Sequence, residues 1–192
     1  MTVYSGNRKI GEIYIGSKKI ESIYKGNILV YSSKLPAGTV IFNNSTAGIY
    51  TVMIPVSQNY YIEIVGAGAS GRKRSGLFAR KYGGGSGAYV YGTQYITKGS
   101  YTVEIGAGQS AGSNTNGGNS SFNGNVAGGG KGSGSSYTGG TYTTSLNGKN
   151  GNTGGQSVTA NSVYDNTSTG YGAGGFSNTS GSKAGYVKIV AA

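Results

Sequence analysis

The sequence predicts an all-β protein in two parts: a β-hairpin repeat module at residues 1–33 and, after a linker at 34–38, a jelly-roll-like antiparallel sandwich with glycine-rich, polyglycine II-like segments over residues 39–192. Three observations carry this reading. A ten-residue phrase returns three times at the start of the chain. Farther on, short runs alternate apolar and polar residues between turn signals, and no stretch shows an amphipathic helical period. Of 192 residues 39 are glycine, and 33 of these lie between Gly66 and Gly185.

The opening phrase reads apolar-Tyr-x-Gly-(Asn/Ser)-x-x-apolar. Tyr4, Tyr14 and Tyr24 each stand two residues before Gly6, Gly16 and Gly26, and Asn7, Ser17 and Asn27 follow. Val3, Ile13 and Ile23 precede the tyrosines; Ile10, Ile20 and Val30 close the units. Gly-Asn or Gly-Ser suits the positive-φ positions of a tight hairpin turn, so each unit is about one hairpin. Isolated hairpins are marginal in water, and a repeat this short must stack on a neighbour to bury anything. Residues 1–33 are therefore expected to form a meander that leans on something else. Two roles stay open for it: decoration of its own domain, or docking and oligomerisation.

Strands of the second part are expected at Thr39–Asn43, Ile49–Ile54, Tyr60–Val65, Ala88–Ile96, Tyr101–Ile105 and Tyr186–Val190, with a weaker one near Ser120–Val126. Such short strands without helices suggest an antiparallel sandwich or jelly roll. Between them, residues 106–181 are mostly glycine, serine, threonine and asparagine, a composition that raises the suspicion of disorder. Two features argue for order. Tyr137, Tyr142, Tyr164, Tyr171 and Phe176 recur inside the tract, and the closing apolar strand must pair with something upstream. Glycine lets backbones approach closely because it lacks a Cβ. Polyproline-II-like glycine helices bonded side by side would order the tract; the imperfect period implies several short helices or ordered loops, not a collagen rod.

Gly66-Ala67-Gly68-Ala69-Ser70-Gly71 matches G-x-G-x-x-G and follows a strand. A dinucleotide site needs a helix to open at that point. The residues that follow hold no helical period, so nucleotide binding is not expected. With no cysteine and no histidine, ordinary zinc and copper sites and Ser-His-Asp or Cys-His machinery are excluded. No cofactor and no metal are expected. The five acids are Glu12, Glu21, Glu63, Glu104 and Asp165. Glu63 and Glu104 alternate with apolar neighbours and read as solvent-face strand residues. The chain is expected not to be an enzyme; the alternative of another class is a glycan-degrading hydrolase using Glu63, Glu104 or Asp165 as paired carboxylates.

The net charge is +11. Arg72, Lys73, Arg74, Arg80 and Lys81 cluster between Gly71 and Gly83. These are either solvated turn residues or a contact for an anionic partner such as lipopolysaccharide, teichoic acid or an acidic particle surface. Nucleic acid is not expected, because no recognition helix, RNA-binding aromatic signature or zinc module accompanies the cluster. Tyrosine is frequent, at 17 residues. Tyr61 and Tyr101 are expected to pack the sandwich. Tyr137, Tyr142, Tyr164 and Tyr171 either pack between glycine helices or line a carbohydrate-contacting surface. No apolar signal region follows Met1 and no run is long enough to span a membrane, so synthesis in a cytoplasm without a signal peptide or membrane insertion is expected.

The ordered blocks TVIFNNSTAGIYTVMIPVSQNYYIEIVGAGASG, GGGSGAYV, KGSYTVEIGAGQSAGS, GGNSSFNG, AGGGKG and AGYVKIV, spread over residues 39–190, resemble the glycine-rich domain of phage tail-fibre and adhesin proteins. KIGEIYIGSKKIESIYKGNILVY likewise resembles the leading segment of many phage and prophage virion proteins. The resemblance implies a jelly-roll-like sheet core carrying packed polyglycine II helices, with specificity in loops at one end. It implies a virion location and a fibre or adhesin subunit, favours a trimer, and names other virion proteins and a host-surface glycan or anionic envelope polymer as partners. A purely structural head or tail decoration protein is the alternative within the same class.

Overall fold

A computed structural model describes residues 3–5, 8–10, 13–15, 17–20, 22–25, 28–73, 81–132, 137–154, 160–175 and 181–192. Among them every regular element is a strand and every pairing is antiparallel. The repeat forms one hairpin per unit: β1 (Val3–Ser5) with β2 (Arg8–Ile10), β3 (Ile13–Ile15) with β4 (Lys18–Ile20), and β5 (Ser22–Lys25) with β6 (Ile28–Ser32). The register repeats with the sequence, Val3 opposite Ile10 and Tyr4 opposite Lys9, then Ile13 opposite Ile20 and Tyr14 opposite Lys19. In the third unit a register shift after Ile23 places Tyr24 opposite Leu29. Among the described residues the three are separate two-stranded sheets, one per repeat unit. The turn glycines Gly6, Gly16 and Gly26 lie outside the described residues.

The predicted linker is tied to the body. The Leu35 amide donates to Gln58 Oε1 at 2.7 Å and the Gly38 amide to the Ala191 carbonyl at 2.8 Å. The following strands are β7 (Val40–Asn44), β8 (Gly48–Ile54), β9 (Gln58–Val65), β10 (Arg72–Lys73), β11 (Lys81–Tyr82), β12 (Tyr89–Ile96), β13 (Gly99–Ile105), β14 (Ser120–Phe122), β15 (Asn125–Ala127), β16 (Tyr142–Thr143), β17 (Asn147–Lys149) and β18 (Tyr186–Ala191). Two five-stranded sheets, ordered β17-β12-β9-β18-β7 and β16-β15-β14-β13-β8, face each other as a sandwich. The single weak strand expected near Ser120–Val126 is two strands, because Asn123 (φ 47°) and Gly124 (φ 79°) both take positive φ and close a hairpin between them.

Period-two alternation decides what lies inside. Tyr60, Ile62 and Ile64 of β9 point between the sheets with Val90, Val103, Phe122 and Ile189, all buried. Tyr60 keeps its hydroxyl satisfied by donating to the Val56 carbonyl at 2.7 Å. Tyr101 packs edge-on against Phe122, as expected. Tyr61 does not pack the interior: it belongs to the opposite parity of β9 and stands on the outer face, 36% exposed.

Beyond the sandwich the chain repeatedly leaves the sheets as an extended glycine-rich segment and returns as another. Residues 66–70 leave β9 and 83–88 lead into β12; 106–109 leave β13 and 115–118 lead into β14; 128–132 leave β15 and 137–141 lead into β16. Residues 151–154 leave β17, and 181–185 lead into β18. Their hydrogen bonds rotate with period three. The amides of Gly66 and Ala69 donate to Ala88 and Gly85, those of Ala67 and Ser70 to Gly118 and Thr115, and that of Gly68 to Lys183. Gly84 and Gly87 donate to Gly175 and Gly172, Gly85 and Ala88 to Lys131 and Gly128, and Ser86 to Asn152. Gly128 and Lys131 donate to Thr141 and Thr138, Gly130 to Ala67, and Gly129 and Gly132 to the side-chain oxygens of Asn119 and Asn116.

Three residues per turn, each bonded to a different neighbouring segment, is the geometry of packed polyglycine II helices. The expected glycine helices are thus present among the described residues, and the G-x-G-x-x-G run is one of them. Most of these glycines serve close approach and not unusual φ. A Cβ on Gly66, Gly68, Gly84, Gly85 or Gly87 would strike the carbonyl of a neighbouring segment.

Candidate functional site

Hydrogen bonds between the described glycine-rich segments mark the far end of the lattice. There Ser70 bonds Thr115, Gly132 bonds Asn116, Gly154 bonds Tyr137, Gly84 bonds Gly175 and Ser182 bonds Gln109. The predicted basic cluster is rooted at this end. Arg72 lies opposite Tyr82 and Lys73 opposite Lys81 in the β10–β11 pair. Arg74 and Arg80 lie outside the described residues. Two contacts fix the root. The Tyr82 ring stacks on buried Tyr137, with centroids 5.1 Å apart and planes 7° from parallel. Ser70 Oγ accepts from the Thr115 amide at 2.9 Å and from Ser113 Oγ at 2.9 Å, pinning residues 113–115 beside it. Exposed Lys131, whose amide donates to the Thr138 carbonyl, adds a further cation on the 128–132 segment. The described acids lie elsewhere: Glu63 and Glu104 on the sheets, Asp165 in the loop at 161–171.

The four singled-out tyrosines do not share one surface. Tyr137 supports Tyr82 at the far end. Tyr142 is exposed at a sheet edge, its ring so close over Gly148 of β17 that a Cβ there would collide with it. Tyr164 and Tyr171 meet on the outer face of the β9–β12–β18 sheet. Tyr171 stacks on Tyr186 with centroids 4.4 Å apart, and Tyr164 meets Tyr89 edge-on at 5.2 Å.

Under those rings sits Glu63. The expected solvent-face carboxylate is on the outer face but only 9% exposed. The 161–171 loop folds back over the row beside it and brings Val163 and Tyr164 onto Val65, Tyr89 and Tyr186. Tyr89 Oη donates to Glu63 Oε1 at 2.7 Å, and Lys188 Nζ lies 3.6 Å from Glu63 Oε2. A buried charge is tolerated when paired and hydrogen-bonded in this way. Burial pushes the Tyr89 phenol well above its ordinary value, reinforced by its hydrogen bond to Glu63. Tyr186 is raised by burial and then by the neighbouring Tyr164; Tyr61 and Tyr164 are raised by burial and then by Glu63.

Tyr89, Tyr91, Tyr186, Lys149 and Lys188 escaped the sequence reading of the site. The signal for two of them is local: Tyr89 and Tyr91 are two apart on one strand and must share a face. The profile of a family described as a glycine-rich domain matches residues 44–188. Comparison with curated proteins finds no matching sequence.

Proposed function

The chain belongs to this glycine-rich domain family, and from that premise we propose that it is a non-enzymatic phage virion subunit, a fibre or adhesin whose hairpin repeat docks to the particle and whose glycine lattice carries host-attachment loops. One observation carries the reading. Successive glycine-rich segments run out from the sandwich and back, so several described segments and the described root of the basic cluster, Arg72–Lys73 paired with Lys81–Tyr82, meet at one end while the described acids lie elsewhere. A rigid scaffold that presents loops at one end is a common way to build a binding surface. The partner that such an end suits is an anionic envelope polymer, with electrostatic attraction raising the association rate. The hydrolase alternative gains no support from the geometry: Glu63 and Glu104 lie on the outer faces of opposite sheets, with the core between them.

The test has two arms. Deleting residues 1–33 is expected to leave a folded domain that no longer joins the particle; normal incorporation would place docking elsewhere. Replacing Arg72, Lys73, Arg74, Arg80 and Lys81 with Ser is expected to slow association with purified teichoic acid or lipopolysaccharide and to flatten its salt dependence, since exposed charges are screened over about 8 Å at physiological ionic strength. Unchanged binding and salt slope would leave the cluster a solvated turn. Shortening of host polysaccharide by the intact chain and not by Glu63→Gln would establish the enzyme instead.

A further inference from the structure

The outer face of the β9–β12–β18 sheet is only partly covered. Register sets its rows: Tyr91, Glu63 and Lys188; then Thr93, Tyr61 and Val190; then Tyr95 beside Asn59. Among the described residues the 161–171 loop covers the row nearest the lattice, where Tyr89, Val65 and Tyr186 lie, Glu63 beside it is buried, and the rows of Tyr61 and Tyr95 stay open. Tyr95 is 62% exposed, Tyr61 more than a third, and Tyr91 is half-buried. Lys149 of the flanking β17 is exposed and holds its ammonium 6.0 Å from the Tyr91 ring centroid.

We propose that this open face, with Tyr61, Tyr91 and Tyr95 beside Lys149 and Lys188, is a binding shelf for an anionic pyranose chain. Tyrosine rings offer flat apolar area for the C–H face of a sugar and a hydroxyl for its polar rim, at low entropy cost. From Tyr91 to Tyr95 the strand advances about 13 Å, enough for more than one ring. The charge seen from outside is cationic. Glu63 is sunk, with one oxygen taken by Tyr89 and the other facing Lys188, while Lys149 stands at the surface. Asp165 belongs to the loop at the covered end, where Thr167 donates to its Oδ1 from both amide and hydroxyl. The shelf deepens the attachment reading and rests on it for its setting, but it is a second surface, remote in sequence from the basic cluster at 71–83.

Titration of the full chain with oligomannuronate, followed by amide chemical shifts, tests it, with neutral maltooligosaccharide as the control. Shifts are expected to gather on β9, β12, β17 and β18. The Tyr61→Ser/Tyr95→Ser double variant is expected to weaken binding by about tenfold or more, a loss of about 1.4 kcal/mol. Lys149→Ser is expected to weaken it less, with an effect that fades as salt is added. Absence of binding, shifts confined to the far end of the lattice, unaltered affinity in the tyrosine variant, or equally tight maltooligosaccharide binding would each overturn the shelf. A change in oligomeric state on Tyr95→Ser would overturn it too, by assigning the face to a second copy. Because purified chain and glycan suffice, failure of particle incorporation or of cell attachment leaves this test unaffected. The basic-cluster variants, which test the attachment reading, are expected to leave oligomannuronate binding at the shelf intact.

Discussion

Ile62 and Gly66 lie on one continuous stretch of chain, yet opposite means hold them in place. Ile62 is fully buried between two sheets, where its apolar side chain is the stabilising element. Gly66 donates its amide to Ala88 and has the Gly128 carbonyl where a side chain would stand. In the sandwich the structure needs volume; in the lattice it needs the absence of volume, and the net gain comes from many backbone hydrogen bonds of roughly 1 kcal/mol each. The lesson is that a glycine-rich tract has a specific interior when its neighbours supply acceptors in three directions.

Truncating the sandwich is expected to have the largest effect. Phe122→Ala removes a fully buried ring and should cost about 3–5 kcal/mol in chemical denaturation. A paired measurement sharpens the comparison. Ile62→Val removes one methyl and should cost about 1 kcal/mol, whereas Gly87→Ala adds one methyl against the Gly66 backbone and should cost about 3 kcal/mol. If Gly87→Ala proves as mild as Ile62→Val, close backbone contact is not what the lattice depends on.

The tyrosine cluster lies where the two regions meet and is expected to respond through its polar groups. Glu63→Ala leaves the Tyr89 hydroxyl buried without its acceptor and should cost about 2 kcal/mol; Glu63→Gln, which keeps an acceptor, should cost clearly less. The pH response follows from the raised phenols. In the folded chain Tyr89 and Tyr186 hold their protons above the ordinary tyrosine value of 10. The folded state therefore binds more protons than the unfolded one in that range. The stabilisation is fully present below pH 10 and falls as pH rises above it, at about 1.4 kcal/mol per pH unit for each such phenol. Thermal melts paired with phenolate absorbance should show late ionisation coinciding with unfolding, and Glu63→Gln should bring ionisation of Tyr89 earlier. Ionisation of all tyrosines near pH 10 in the folded chain would break this expectation.

Much of the sandwich was legible because burial imposes period two on β9, β12 and β13, and the alternation of Tyr60–Val65 survives by eye. The strands β16 and β17 were not, because a Tyr-Thr pair and an Asn-Gly-Lys triplet are too short to carry a periodic signal. The basic cluster was legible as composition, but its root was not: nothing local announces that Tyr82 stacks on Tyr137 or that Ser70 holds Thr115. Nothing local marks Glu63 as buried: it sits beside a tyrosine cluster that Val163 and Tyr164, about a hundred positions away, help to close.

What the amino-acid sequence determined by itself is whatever rests on neighbours along the chain: an all-β fold, one hairpin per ten-residue repeat, the parity of each long strand, and the absence of histidine and cysteine chemistry. The tertiary structure alone decided which segment each glycine amide would face, because a helix of three residues per turn sends successive amides to three different neighbours. It also decided which tyrosines would surround Glu63 and which would stay open to solvent. Those outcomes depend on side chains and carbonyls brought together across long loops, and a distance in space of this kind leaves no trace in local order.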